Sequence, residues 1–488
     1  MFYHYSMAVP KLFGNSVIYT GVTILQKCVS FFLLPLYTAY LTPADYGITG
    51  IVGSFSSLLA IFTTLGLDSA GSRFYYKYNG DPEYSRKLYG TISSVIIINS
   101  LVFGGLFIAA HKWIVEPFVG EIGFYPYVLL GLLNVMVTPL YLLFQGYLQT
   151  IQDGKTFGIN SMLNFAVQVG LTIVLVAILK LGALGVLLAT LITSILFFVY
   201  VVFAFFRHQT IGIDKLLAKE AFKYSLPLLP HTLANWSNST IDKLLVNGIR
   251  SETDAGLYNL GSQYSSVANT MSIAVNNAYV PWFFDKANDI SNNMPQIRKM
   301  SEMITWIVCF ICMIMSLFSQ EVLDLMISNP AYDGVWKVIP FLICGTIFGT
   351  IYFFYVNVLF LKNTGVIFTI TVSTIAVNVG LNILLIPVLG FIGCGVAFMA
   401  TFFVKSVLSV FISMWKNKEI RFRTLYLYLI AFVSSIICLS ALLLDNVGWA
   451  YSLGIKTVVL MIFGLIIYHI YKREITDLFN GMIKIVRK

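Results

Sequence analysis

Apolar runs of roughly 20 residues, long enough to cross a hydrocarbon core of about 30 Å as helices, recur from one end of this 488-residue chain to the other. No long polar stretch between them offers the material for a separate soluble domain. With 58% of residues hydrophobic and only 11% charged, the expected fold class is an all-α integral membrane protein, because helices satisfy their own backbone groups in lipid. The first residues, MFYHYSMAVPKLFGNS, lack the charged start, short apolar run and small-residue cleavage site of a secretory signal, so the first span is expected to stay in the mature chain. Runs and loops divide into about fourteen spans: 12–40, 46–68, 88–110, 124–149, 157–179, 182–206, 224–248, 255–281, 301–319, 335–360, 366–387, 391–414, 424–444 and 447–471.

Charge gives an independent reading of topology. With the N-terminus in the cytoplasm, the inner loops and tail carry Arg73, Lys77, Arg86, Lys87, Lys155, Lys215, Lys219, Lys223, Lys286, Lys416, Lys418, Arg473 and Lys484, whereas the outer loops hold only Lys112, Lys180, Arg250 and Lys337. This is the bias the positive-inside rule demands, and it favours an even number of spans with both termini cytoplasmic. The net charge of +9 then reports topology and implies no nucleic-acid partner. All six cysteines, Cys28, Cys309, Cys312, Cys344, Cys394 and Cys438, fall inside expected spans, so neither a disulfide framework nor a metal site is expected. Cys309 and Cys312 spell CFIC on an apolar helix and read as small core hydrophobes.

The chain repeats itself. LTPADYGITGIVGSFSS (41–57) aligns with RSETDAGLYNLGSQYSS (250–266) at an offset of 209, pairing Asp45 with Asp254 and Gly47 with Gly256. Further on, VQVGLTIVLVAILKLGALGVLLA (167–189) aligns with VNVGLNILLIPVLGFIGCGVA (377–397) at 210 and then 208. A near-constant offset through four spans indicates duplication of a six-span bundle, and an even span count makes the copies parallel, related by an axis along the membrane normal. The expected organisation is a six-helix bundle over 1–210, a second over 211–416, and appended helices 13 and 14 with a tail over 417–488. Two like bundles leave a cleft at mid-membrane, walled by spans 1, 2, 7 and 8.

Span 7 carries much that lipid disfavours: LPLLPHTLANWSNSTIDKLLVN (226–247) holds two prolines, a histidine, several amides and an adjacent Asp-Lys pair. Its sequons at Asn235 and Asn238 lie within the membrane, out of reach of a glycosylating enzyme. Pro227 and Pro230 predict a bend near the cytoplasmic end. Lys27, Lys243, Lys405 and Lys456 also fall within spans, each costing about 2.5–3.5 kcal/mol at the centre of a lipid-facing helix unless it snorkels or meets water or protein. Lys243 lies seven residues from Arg250 and beside Asp242, so snorkelling or a local pair accounts for it as readily as a pathway role. Lys27 sits near the middle of span 1, about 15 Å from an interface by helical rise, and is expected to face a hydrated cavity; donation to buried carbonyls is the other reading. Asp68 lies five residues from Arg73 and reads as an interfacial pair. The amides of spans 7 and 8, with isolated cations and few acids, suit a substrate that is anionic in one part and hydroxyl-rich in another.

LTPADYGITGIVGSFSSLLAIFTTLGLDSAGSRFYY, with YSLPLLPHTLANWSNSTIDKLLV, DAGLYNLGSQYSSV and NNAYVPWFF, resembles the polysaccharide biosynthesis (Wzx-type) flippases of the multidrug/oligosaccharidyl-lipid/polysaccharide (MATE-like) exporter superfamily. The resemblance spans essentially the whole chain. It implies twelve core spans in two bundles plus two more, and transfer of an undecaprenyl-diphosphate-linked oligosaccharide, such as an O-antigen or capsule repeat unit, from the cytoplasmic to the outer leaflet of the bacterial inner membrane. Related lipid II flippases use cavity cations, including one on the first span, which Lys27 matches by position; a lysine lacks the bidentate fork of an arginine.

The candidate substrate-binding residues are therefore Lys27, His231, Asn235, Asn238, Asn259 and Gln263, with Asp68, Asp242, Lys243, Lys405 and Lys456 as candidates for gating or ion coupling. No resident cofactor or metal is expected, only H⁺ or Na⁺ coupling. The expected partners are the lipid-linked glycan, membrane lipids and a glycan polymerase, the protein itself being monomeric. An ion-coupled small-molecule exporter of the same fold is the alternative, with His231, Asp68 or Asp242 as the titrating group. An enzyme would need a catalytic carboxylate or a sizeable external loop, and the outer loops are short.

Overall fold

The computed structural model describes residues 18–472 apart from 20, 23, 28, 79, 80, 121, 208, 418, 446 and 447. Cys28, Lys418 and the tail cations from Arg473 onward, with the opening sixteen residues read for a signal, lie outside the described residues. Among the described residues helix follows helix and no strand occurs. The chain runs through α1 (Ile24–Tyr40), α2 (Pro43–Thr64), α3 (Leu67–Lys77), α4 (Pro82–Ala109), α5 (Leu129–Thr150), α6 (Gly154–Thr172), α7 (Gly182–Phe206), α8 (Lys215–Ser225) and α9 (Leu229–Ile249). It continues through α10 (Glu252–Lys286), α11 (Ile290–Leu317), α12 (Ser319–Met326), α13 (Ile339–Lys362), α14 (Thr364–Leu389), α15 (Phe391–Lys416), α16 (Thr424–Ser440) and α17 (Trp449–Ile470).

Eleven helices among the described residues are long and apolar enough to cross a membrane. The other three expected spans correspond to α1, a shorter apolar helix, and to α9 and α10, which at 21 and 35 residues are long enough but are not among the eleven. These two carry the amides and charges noted in the sequence. The polar character of spans 7 and 8 thus sets them apart as helices whose environment is not uniform lipid.

The residues group into two compact units. The first holds the described residues up to Leu260 together with Ile327–Tyr332 and Asn382–Phe391; the second holds Gly261–Met326, Asp333–Leu381 and the described residues from Ile392 onward.

Within the first unit the repeat is visible as one local device built twice. Thr42 caps α2: its hydroxyl accepts from the Asp45 N–H at 3.1 Å, while the Asp45 carboxylate accepts from the Thr42 N–H at 3.0 Å. The free oxygen of Asp45 accepts from the Ala183 N–H at 3.0 Å, next to Gly182, which sits at φ +58° where a side chain would be strained. At the matching positions Ser251 accepts from the Asp254 N–H at 3.1 Å, and Asp254 lies beside Gly390, at φ +61°. Between the two devices α2 and α10 meet backbone to backbone. A Cβ on Gly47 would collide with the Glu252 carbonyl oxygen, and a Cβ on Gly256 with the Pro43 carbonyl oxygen. Positions 43 and 47 become 252 and 256 on adding 209, so the two contacts exchange into each other.

That seam is buttressed at the same end. Tyr332 donates to the Leu41 carbonyl at 3.0 Å, and the Asn329 amide donates to the Thr38 carbonyl at 3.3 Å. Below the seam α2 ends where Leu65 and Gly66 adopt left-handed conformations, and α3 restarts in a new direction. The expected bend in span 7 is a 3-10 turn, Leu226–Leu228, separating α8 from α9, with both prolines in first turns where no donor is needed.

In the second unit, packing relies on the small hydroxyl and amide contacts typical of membrane helices. Ser272 and Thr350 share a hydrogen bond at 3.0 Å, Tyr264 donates to the Met315 carbonyl at 2.9 Å, and Asn357 donates to Asn276 at 3.1 Å. Cys309, Cys312, Cys344, Cys394 and Cys438 are buried.

Candidate functional site

Gln26 fixes α1 against α6, its amide donating to the Ser161 carbonyl at 3.0 Å. The next residue, Lys27, is exposed and has no ion-pair or hydrogen-bond partner among the described residues. On α9, Lys243 is partly buried, and two charges act on it: that of Asp242, which attracts it, and more weakly that of Lys27, which repels it. Two cations from different helices thus share one neighbourhood, and like charges held together at membrane depth favour an anion between them.

The face of α9 beyond Lys243 is polar for three turns. His231 and Asn235 are exposed, and the Asn235 amide meets His231 Nε2 at 3.1 Å one turn away. Asn238 is partly buried, and its amide nitrogen is buried with no partner among the described residues. An unmet buried donor costs about 1–3 kcal/mol, which water or a ligand hydroxyl would recover. Trp236, between these amides, donates from Nε1 to Ser57 Oγ at 2.9 Å on α2.

Asn259 is occupied differently from the sequence expectation. It donates to the Tyr46 carbonyl at 3.3 Å and lies over Gly50, where a Cβ would meet its amide, so it belongs to the glycine seam. Gln263 lies in the second unit and is partly buried. Lys27, His231, Asn235 and Asn238 are thus in one unit, with Asn259 in the seam and Gln263 apart.

The adjacent Asp242 and Lys243 do not form the local ion pair considered from sequence, because neighbouring residues on a helix point to different faces. Asp242 is 4% exposed and accepts from the Tyr258 hydroxyl at 2.9 Å and from the Asn382 amide at 2.7 Å. This knot of α9, α10 and the end of α14 lies within the first unit. Sequence reasoning missed Tyr258 and Asn382. The signal was present at Asn382, an amide in the apolar repeat segment where the first copy has Thr172.

The Asp68–Arg73 pair read from sequence does not form among the described residues. Both are exposed, five residues apart on α3, and Arg73 stacks over the Tyr224 ring at 4.4 Å instead. In the second unit Lys405 is 9% exposed and lies over the Tyr352 and Phe402 rings at 4.5 and 5.4 Å. Lys456, 1% exposed, is paired with Glu321 at 2.6 Å. Glu321 lies on α12, just beyond the expected end of span 9, which hid the pair from a span-by-span reading.

The family model for polysaccharide biosynthesis proteins matches residues 12–286, more than half of the chain. The chain belongs to the polysaccharide biosynthesis protein family. Two relatives of this family member come from Haemophilus influenzae: protein 1 of the Lsg locus, 25% identical over 370 residues (72% of this chain, 85% of that protein), and an uncharacterized membrane protein, 24% identical over 356 residues (72% and 84%). Its fold is that of a solved structure described as the lipid II flippase MurJ in an inward closed conformation, with a TM-score of 0.73 at 15% identity, covering 94% of this chain and all of that one. An inward-facing multidrug resistance MATE transporter is also similar, with a TM-score of 0.59 at 15% identity, covering 80% of this chain and 94% of that one. The polysaccharide biosynthesis protein is thus a multi-pass membrane protein with the fold shared by these flippase and transporter structures.

Proposed function

We propose that this protein moves an undecaprenyl-diphosphate-linked oligosaccharide from the cytoplasmic to the outer leaflet of a bacterial inner membrane by alternating access. The carrying observation is that Lys27 and Lys243, two cations from different helices, lie near enough for the charge of one to act on the other, while the nearby acid is held by Tyr258 and Asn382. A diphosphate between two lysines relieves their repulsion and is recognised as charge rather than as a bidentate shape. The exposed amides of α9 meet sugar hydroxyls, and the polyprenyl tail stays in lipid. Membership in a polysaccharide biosynthesis family supports the substrate class, and the likeness in fold to a lipid II flippase supports the mode of action. No bond is made or broken.

On this reading both termini are cytoplasmic, the glycine seam closes the outer side, and a glycan polymerase takes up the product. Asp242, buried among neutral donors, is the group through which a H⁺ or Na⁺ gradient acts. The test is transbilayer movement of a defined lipid-linked oligosaccharide in vesicles containing only this protein. Movement dependent on the protein is expected, and none under any imposed gradient would end the proposal.

The buried Asp242 and the likeness to a MATE transporter also favour a second reading, an ion-coupled exporter of small molecules. Drug susceptibility of a deletion strain separates the two: the flippase reading expects lost surface glycan with unchanged susceptibility.

A further inference from the structure

We infer that the first unit contains a second, uncharged pocket, enclosed by α2, α5 and α7, which takes a sugar ring of the lipid-linked glycan. The inference rests on the flippase reading and adds a subsite to it. The pocket is a cavity of about 340 Å³, at the small end of the roughly 300–1,000 Å³ typical of ligand sites, so it would hold part of a glycan rather than all of one. No Asp, Glu, Lys, Arg or His is among its lining residues. That composition suits neither a diphosphate nor an organic cation.

The polar groups that do line it are arranged for a ligand rich in hydroxyl donors. Ser57 gives its proton to the Ser54 carbonyl at 2.7 Å, Thr138 to the Asn134 carbonyl at 2.8 Å, and Thr190 to the Val186 carbonyl at 2.9 Å. Each hydroxyl has spent its proton on its own helix; Ser57 and Thr190 use one lone pair to accept from Trp236 and, at 3.5 Å, from Gln168, so what remains on all three is acceptor capacity only. Asn134 supplies the complementary donor: its side-chain oxygen lies 3.1 Å from the Thr138 hydroxyl, whose one proton is shared with the Asn134 carbonyl, and its amide nitrogen has no hydrogen-bond partner among the described residues. The remaining wall is apolar, running from Ala60 and Gly131 to Leu130, Leu142 and Leu187, and offers a surface for the C–H faces of a pyranose. Gly53 opens directly onto this space, since a Cβ built there meets nothing within 4 Å. The pocket also adjoins the polar face of α9, because Trp236 donates to its lining residue Ser57 at 2.9 Å. Gly53 lies ten residues into α2, about 15 Å from its start by helical rise, close to mid-membrane.

Two variants separate volume from hydrogen bonding: Gly53→Leu fills the cavity, and Thr138→Val removes a hydroxyl at nearly constant volume. Binding to purified full-length protein is measured with two probes, sugar-free undecaprenyl diphosphate and the lipid-linked glycan pool extracted from the source organism. The wild type is expected to prefer the glycan-bearing pool by about tenfold, the factor of one or two hydrogen bonds. Gly53→Leu should abolish that preference and Thr138→Val reduce it, with binding of the sugar-free carrier and the melting temperature unchanged. A folded Gly53→Leu protein that keeps the wild-type preference overturns the pocket. So does loss of a co-purified phospholipid from Gly53→Leu without change in glycan preference, which would make the cavity an acyl-chain site. If the wild type binds both probes equally, the pocket falls and the flippase reading stands; if it binds neither, both fall. Should Gly53→Leu not fold, Asn134→Ala takes its place with the same two outcomes.

Discussion

The stretches Thr42–Gly47 and Ser251–Gly256 stand 209 residues apart and are built alike, whereas the helices leading into them differ where it matters chemically. Both copies cap a helix with a hydroxyl and an aspartate, set that aspartate against a left-handed glycine, and press a glycine onto the opposite backbone. At the same offset in the preceding helices, Lys27 faces the position of Trp236, and Leu33 and Leu34 correspond to Asp242 and Lys243. Backbone contact at the seam tolerates only glycine, so both copies keep it. Side chains at membrane depth face no such limit. One copy contributes an exposed cation, and the other a buried acid, a second cation and an amide face. The duplication supplies a frame, and under the proposed function divergence within it divides the labour of holding charge, sugar and coupling ion.

The largest stability effect should arise outside the repeat, where the appended helix α17 is tied in by a buried ion pair. Lys456→Met would strand Glu321 and cost about 3–5 kcal/mol of stability, whereas the double variant with Glu321→Gln should recover most of it; denaturation in detergent measures both. Next come Gly47→Leu and Gly256→Leu, each overpacking the same seam from opposite sides by about 1–3 kcal/mol. Equal loss of surface glycan and equal labelling of an introduced cysteine at Ser57 from outside are expected. A tolerated change on one side only would break the symmetry.

Asp242→Leu gives the second copy the residue of the first. It leaves the Tyr258 hydroxyl and the Asn382 amide without their acceptor, at about 1–3 kcal/mol, and transport should lose its dependence on an ion gradient. Gradient-dependent transport by the variant would remove Asp242 from coupling. The smallest effect should come from Trp236→Phe, which removes one N–H shared between Ser57 Oγ and the Ser54 carbonyl and should lower the melting temperature by the equivalent of about 1 kcal/mol.

Much of the frame was legible in the sequence because it depends on period and pattern: apolar runs of membrane length, a constant offset, and capping residues at matching positions. The polarity of α9 and α10 was legible for the same reason, since seven asparagines in two helices disrupt an apolar pattern only if something wet adjoins them. What each polar residue does was not legible. Asn238 and Asn259 look equivalent as letters, yet one has an unmet amide and the other is spent on Tyr46. Asp242 and Lys243 are neighbours in sequence and turn to different partners, and Lys456 is answered by Glu321, which lies 135 residues earlier. Such pairings are set by packing between helices, and a single sequence does not encode which faces meet.

The central claim is that Lys27 of one copy and Lys243 of the other hold the diphosphate charge between them. It is tested most directly by transbilayer movement of a lipid-linked oligosaccharide in vesicles containing wild type, Lys27→Ala or Lys27→Arg. The account predicts that Lys27→Ala stops movement without affecting insertion or folding, and that Lys27→Arg restores it. Wild-type rates in Lys27→Ala would contradict it.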